Sequence, residues 1–225
     1  MRISTLLLLL SLVTVSASAA EGQQKADEKL SYAIGVLFGR NMALDVDVNT
    51  DAFLQGVRDV LTDSKLKYTP EEMQQVVNAF REQQTKAQQD MGQTNAAAGK
   101  AFLEANAKKQ GVTALPSGVQ YRVIKAGTGA KPKATDEVVV HYRGTLIDGK
   151  EFDSSYSRGQ PTPLRLDGVI KGWQEAVSLM PMGSKWEIYV PSTLAYGERG
   201  AGKMIGPNAT LIFEIELLEI KTKTP

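Results

Sequence analysis

The chain has 225 residues, 42% of them hydrophobic and 23% charged, with a formal net charge of +1. That balance suits a globular protein of one large or two modest domains and leaves no basic field to hold nucleic acid. Cysteine is absent and His141 is the one histidine, which excludes disulfides, thiol nucleophiles, Cys-ligated metals and any metal site that needs two histidines; a Ser-His-Asp triad would have to be built around His141.

Arg2, the apolar stretch from Leu6 to Val15 and the small residues Ala17-Ser18-Ala19 read as a signal peptide over residues 1–20, with Ala20 or Glu21 as the mature start. The stretch is too short to span a bilayer comfortably, so the expectation is export, to the periplasm, the outer-membrane surface or the exterior. Residues 27–42 place Leu30, Ile34, Leu37, Phe38 and Met42 on one helical face. Residues 50–61 repeat the pattern with Phe53, Leu54, Val57, Val60 and Leu61, and Thr50 is the expected N-cap. Two short amphipathic helices cannot bury their stripes alone, and the simplest partner is the same pair from another copy. Residues 21–68 are therefore expected to form a helical dimerisation domain.

Thr69-Pro70-Glu71-Glu72 is a capping box with proline at the first helical position, followed by a stripe of Met73, Val76, Val77 and Phe80. Beyond Phe80 the apolar residues thin out while helical composition continues, which gives a long connecting helix over residues 69–111 with Gly111 as its stop. Such a polar rod, roughly 60 Å long, is either a solvated spacer or disordered, and its alanine and glutamine content favours the spacer. Gly92 and Gly99 are its expected bends.

From residue 112 onwards the periodicity changes from helical to two. Val119–Ile124, Glu137–Leu146, Lys185–Val190 and Thr210–Ile220 read as strands, and Ile170–Leu179 as the single helix, with Trp173, Ala176 and Val177 on its inner face. The fold class is therefore α+β, an all-α arm followed by a β-rich domain with one covering helix.

Gly197-Glu198-Arg199-Gly200-Ala201-Gly202-Lys203-Met204 nearly matches a phosphate-binding loop, but Met204 replaces the Mg-binding hydroxyl and Pro207 blocks the required helix. It reads instead as a mobile Gly-rich surface loop. Strand alternation puts Val138, Val140 and Tyr142 on the core face and His141 on the other, away from any site on the inner face.

The runs VVVHYRGTLIDGKEFDSS (138–155), VIKGWQEAVSLMPMGSKWEIYVPSTLAYG (169–197) and IGPNATLIFEIELLEI (205–220) resemble, in order and spacing, the FKBP-type peptidyl-prolyl cis-trans isomerases. The earlier segments DEKLSYAIG, VNTDAF, TPEEM, GKAFL and LPSGVQYRVI resemble the macrophage infectivity potentiator subfamily of exported dimeric FKBPs. The resemblance implies an antiparallel sheet wrapped around one short helix in residues 112–225. It also implies a V-shaped homodimer of intertwined arms, with proline-containing or unfolded polypeptides as substrates, no cofactor, no metal, and the macrolides tacrolimus and rapamycin as inhibitors. It carries over a pocket of Tyr142, Phe152, Asp153, Val169, Ile170, Trp173, Tyr196 and Phe213. Trp173 would be the floor under the prolyl ring, Phe152 and Phe213 the walls, and the Ile170 backbone N–H and Tyr196 hydroxyl donors to substrate carbonyls. Asp153 would be the polar edge, steadied by Arg158. Leu164 and Ile205 would complete the substrate cleft. Thr162 stands where an aromatic wall is frequent, and Ala201 and Met204 alter the flanking loop, so these three bear on substrate and inhibitor preference. A dimeric holdase chaperone with little isomerase activity is the alternative from another class; the retained aromatics and Asp153 favour the enzyme.

Overall fold

The computed structural model describes residues 27–40 and 48–221; the expected leader and Met42 lie outside the described residues. The chain divides into two compact units, Met1–Met73 and Gln74–Pro225.

In the first unit, residues 27–40 are helical (α1) and a second helix, α2, spans Thr50–Leu61. Phe38 and Phe53 stack at 5.7 Å, yet no residue of α2 is buried and Leu30, Ile34, Leu37, Val60 and Leu61 are exposed in the single chain. The N-cap of α2 is Asn49, not Thr50: the Asn49 side-chain oxygen accepts from the Ala52 N–H at 2.9 Å, and Thr50 is already helical. The expected capping box forms, with the Thr69 N–H donating to Glu72 Oε2 at 2.8 Å and the Glu72 N–H donating to Thr69 Oγ1 at 3.2 Å. It starts α3, Pro70–Asn106.

α3 runs unbroken through Gly92 and Gly99, which are sites of close approach where bends were expected. Both are buried: a Cβ at Gly99 would stand 2.2 Å from Thr210 Oγ1, so only glycine lets the helix lie that close to the chain entering the last strand. Within the second unit the far half of the rod is therefore packed and not a free spacer. Phe102 lies 5.9 Å from Tyr189, and the fully buried Asn106 donates to Gln120 Oε1 at 3.0 Å while Gln120 donates to the Leu103 carbonyl at 2.8 Å. The helix ends at Asn106, a few residues before the expected stop, and the chain reverses through Gly111 at φ 81°.

Seven strands follow: β1 Val112–Ala114, β2 Gln120–Lys125, β3 Glu137–Leu146, β4 Glu151–Ser154, β5 Thr162–Arg165, β6 Lys185–Val190 and β7 Leu211–Lys221. They form one antiparallel sheet in the order β1-β2-β6-β7-β3-β4. β5 pairs Glu137–Val140 of β3, beside β4, which pairs Arg143–Thr145 on the same edge. The long strands fall where periodicity of two places them. β1, β4 and β5 escape it because three or four residues are too few to show a period, and Pro163 breaks the strand signature of β5.

Val138, Val140, Tyr142 and Gly144 alternate inward along β3, as do Leu211, Phe213, Ile215 and Leu217 along β7. The helix α4, Lys171–Val177, covers this face through Gly172, Trp173, Ala176 and Val177. Among the described residues no helix is long and apolar enough to cross a membrane.

Candidate active site

Register brings the inner-face aromatics together. Gly144 of β3 sits opposite Phe213 of β7 and Asp153 of β4, so β3 is the hinge line between two aromatic walls. Phe213 meets Phe152 edge-on at 5.6 Å and Trp173 edge-on at 5.2 Å, and Trp173 meets Tyr142 edge-on at 5.3 Å. In each pair one ring thus offers its positive edge to the other's negative face, the favoured geometry for aromatic pairs. Trp173 is buried at the start of α4, and its Nε1–H has no acceptor among the described residues.

Gly144 is a residue of this ring cluster that periodicity alone does not single out. A Cβ there would stand 2.6 Å from the Phe152 ring and 3.0 Å from Phe213, so any other residue would push the two walls apart. The signal was present: a glycine at an inward position of a long strand marks a close approach.

A polar network stands beside the ring cluster. The Tyr142 hydroxyl donates to Asp153 Oδ2 at 2.5 Å and accepts from Arg158 Nη2 at 2.8 Å, and Arg158 Nη1 donates to Asp153 Oδ1. The same guanidinium lies over the Tyr142 ring, 5.4 Å from its centroid, and Nη2 also reaches Thr162 Oγ1 at 3.2 Å. Thr162 therefore takes part as a hydrogen-bond acceptor where an aromatic would only pack. Burial, then the bond to Asp153, pushes the Tyr142 hydroxyl above its ordinary pKa, which keeps it a donor. Burial works to raise the Asp153 carboxyl, but Tyr142 and Arg158 outweigh it and hold the group below the usual carboxylate value.

Ile170 caps α4; its carbonyl accepts from the Trp173 and Gln174 N–H groups at 3.0 and 3.1 Å. Val169, Ile170, Leu164, Phe152 and Ala201 are part-buried and pack with the buried Ile205 against the core. Tyr196 and Met204 stand apart: both are exposed, Tyr196 at 42%, and neither joins the ring cluster. The loop between them carries its own backbone bridge. Ala201 and Ile205 exchange backbone bonds at 2.8 and 3.2 Å, and Gly200 at φ 65° admits the Ile205 carbonyl to within 2.1 Å of where a Cβ would be.

His141 faces the other side of the sheet, stacked on Tyr156 at 4.5 Å with its Nδ1 2.9 Å from Ser155 Oγ.

Residues 128–218 match the family described as FKBP-type peptidyl-prolyl cis-trans isomerase, and residues 27–123 match the domain amino-terminal to it. Outer membrane protein MIP of Legionella longbeachae is 43% identical over 212 residues, covering 92% of this chain and 91% of the relative. Peptidyl-prolyl cis-trans isomerase Mip of Coxiella burnetii is 45% identical over 217 residues, covering 94% of each. The crystal structure of FkpA from Escherichia coli is similar with a TM-score of 0.64 at 40% identity, covering 88% of this chain and 98% of that one. With both regions matched and relatives aligned along nearly their full lengths, the chain belongs to the FKBP-type peptidyl-prolyl cis-trans isomerase family.

Proposed function

We propose that this isomerase turns the prolyl bond in the pocket lined by Tyr142, Phe152, Val169, Ile170, Trp173 and Phe213, with Asp153 and Tyr196 at its rim and Arg158, Thr162, Leu164, Ala201, Met204 and Ile205 shaping the approaches. The observation that carries the reading is the series of perpendicular rings over buried Trp173 beside the closed Tyr142–Asp153–Arg158 network.

Rotation about a prolyl amide faces about 18–20 kcal/mol because resonance is lost as the bond twists. No proton transfer or covalent step is needed; an enzyme has only to bind the twisted amide better than the planar one. The planar amide is the more charge-separated form, so a ring-lined pocket that displaces water favours the twisted one. Trp173 and the two Phe walls supply the apolar seat for the prolyl ring. The Ile170 N–H and the Tyr196 hydroxyl supply donors to the flanking carbonyls, which fixes the amide while it turns.

The substrates are proline-containing and unfolded polypeptides outside the cytoplasm. Export rests on the leader pattern of residues 1–20 and on the Legionella longbeachae relative being named an outer membrane protein. The division into leader (1–20), dimerisation domain (21–68), connecting helix (69–111) and isomerase domain (112–225) is part of the same reading. Homodimerisation through residues 21–80 is supported by the apolar faces of α1, α2 and early α3, which stay exposed in one chain. An added chaperone role through the cleft of the dimer is part of the same proposal.

The test is a proline-limited refolding assay on the mature chain with and without tacrolimus. Acceleration that tacrolimus abolishes is the expected result. Suppressed aggregation with no acceleration would mean a holdase. Sedimentation at micromolar concentration should give a dimer, and a monomer there would overturn the role given to the arm.

A further inference from the structure

The loop that carries Tyr196 and Ile205 is gripped from outside the sheet. Asn95 Nδ2 on α3 donates to the Pro207 carbonyl at 2.8 Å, and Asn208 Nδ2 donates back to the Gly92 carbonyl at 3.3 Å. A Cβ at Gly206 would stand 2.9 Å from the Met91 sulfur and 3.1 Å from the Asn95 amide. One at Gly92 would stand 3.3 Å from both Pro207 and Asn208. Helix and loop are thus in direct contact, with reciprocal amide bonds between residues more than a hundred positions apart.

On the loop side the contact leads straight to the pocket rim. The Asn208 N–H donates to the Gly197 carbonyl at 2.8 Å, and Asn208 itself is held in the left-handed region at φ 55°. Gly197, at φ 57°, directly follows Tyr196. Tyr196 is exposed and belongs neither to the buried core nor to the side chains packed against it. Core packing does not fix this side chain, so its place depends on its backbone, and that backbone is tied to α3 through Asn208.

We infer that Asn95 is a positioning residue for Tyr196: by holding the 206–208 segment, α3 sets where the Tyr196 hydroxyl meets the substrate carbonyl. The inference rests on the reading of Tyr196 as a substrate contact. A helix of the connecting arm is then part of the isomerase site, without touching substrate.

The experiment is a double-mutant cycle in the full mature chain, read as kcat and KM on a proline-containing peptide. Asn95→Ala removes the donor while slightly raising helix propensity. It should lower kcat/KM about fivefold, the effect of one neutral hydrogen bond, mainly through KM and with an unchanged melting midpoint. Gln83→Ala, on an exposed part of the same helix beyond the segment given to dimerisation, is the control and should match wild type. In a Tyr196→Phe background the Asn95→Ala loss should largely disappear. Wild-type activity in Asn95→Ala, the same loss in both backgrounds, or a loss that tracks a falling midpoint would overturn the inference. If Tyr196→Phe alone matches wild type, the assignment of Tyr196 fails first and the positioning role falls with it.

Discussion

Phe213→Ala should cost about 3–5 kcal/mol of stability and remove most of the activity. Phe213 is 5% exposed and its ring is the one that touches both Phe152 and Trp173, so truncation opens a cavity where wall meets floor. The surrounding frame cannot close that cavity easily. Gly144 lies opposite Phe213 in the register and is packed against both rings, and β7 is held on both sides by β3 and β6. Thermal denaturation of the mature chain checks the first half, with a fall of more than about 10 °C expected for the transition of the isomerase domain. The peptide assay, run well below that midpoint, checks the second. A midpoint within about 2 °C of wild type would show that the ring is not packed as described.

Asp153→Leu should lower the catalysed rate about tenfold to a hundredfold in a protein that remains folded. The substitution leaves the Tyr142 hydroxyl and Arg158 without the acceptor they share, so the polar rim loses its fixed geometry while the ring cluster stays. Much of the carboxylate is exposed, so the loss should appear in rate and far less in stability. The pH dependence has a definite sign. The folded carboxyl titrates below its ordinary value, so its contribution is present above the unfolded pKa and is lost only as pH falls through the lower, folded one. Activity should therefore be flat from neutrality down to roughly pH 5 and decline below the ordinary carboxylate range. His141→Ala is the contrast: its ring faces away from the pocket, and activity should stay within about twofold of wild type. Equal losses in the two variants would contradict the placement of the site on the inner face.

Sequence patterning carried much of this architecture, for physical reasons. β3 spans ten residues with one face buried, and a pattern of that length shows its period plainly, down to His141 facing away from Tyr142. The capping box of α3 is equally local, since its two bonds join residues three apart. The site itself was not legible from periodicity. Phe152 and Asp153 lie on a four-residue strand, and only the resemblance of FDSS and its neighbours to the FKBP family placed them. Two further misses, Gly92 and Gly99, depend on distant partners, whereas the Asn49 cap of α2 is a local one-residue shift. Gly92 and Gly99 look like weak points when a helix is judged by its own residues. Their reason for being glycine is Pro207, Asn208 and Thr210.

The sheet margins carry a consequence for the protein's working environment. An isomerase that handles unfolded chains meets extended polypeptide constantly, and an open sheet edge invites such a chain to add itself as one more strand. Here one margin is β1, three residues long, and the other is divided between β4 and β5, four residues each. Pro163 removes a donor from β5, and the register shift at Gly144/Thr145 interrupts the pairing of β4. Among the described residues neither border offers a run long enough to template an extended chain, so the sheet presents little open edge on which a polypeptide could be deposited.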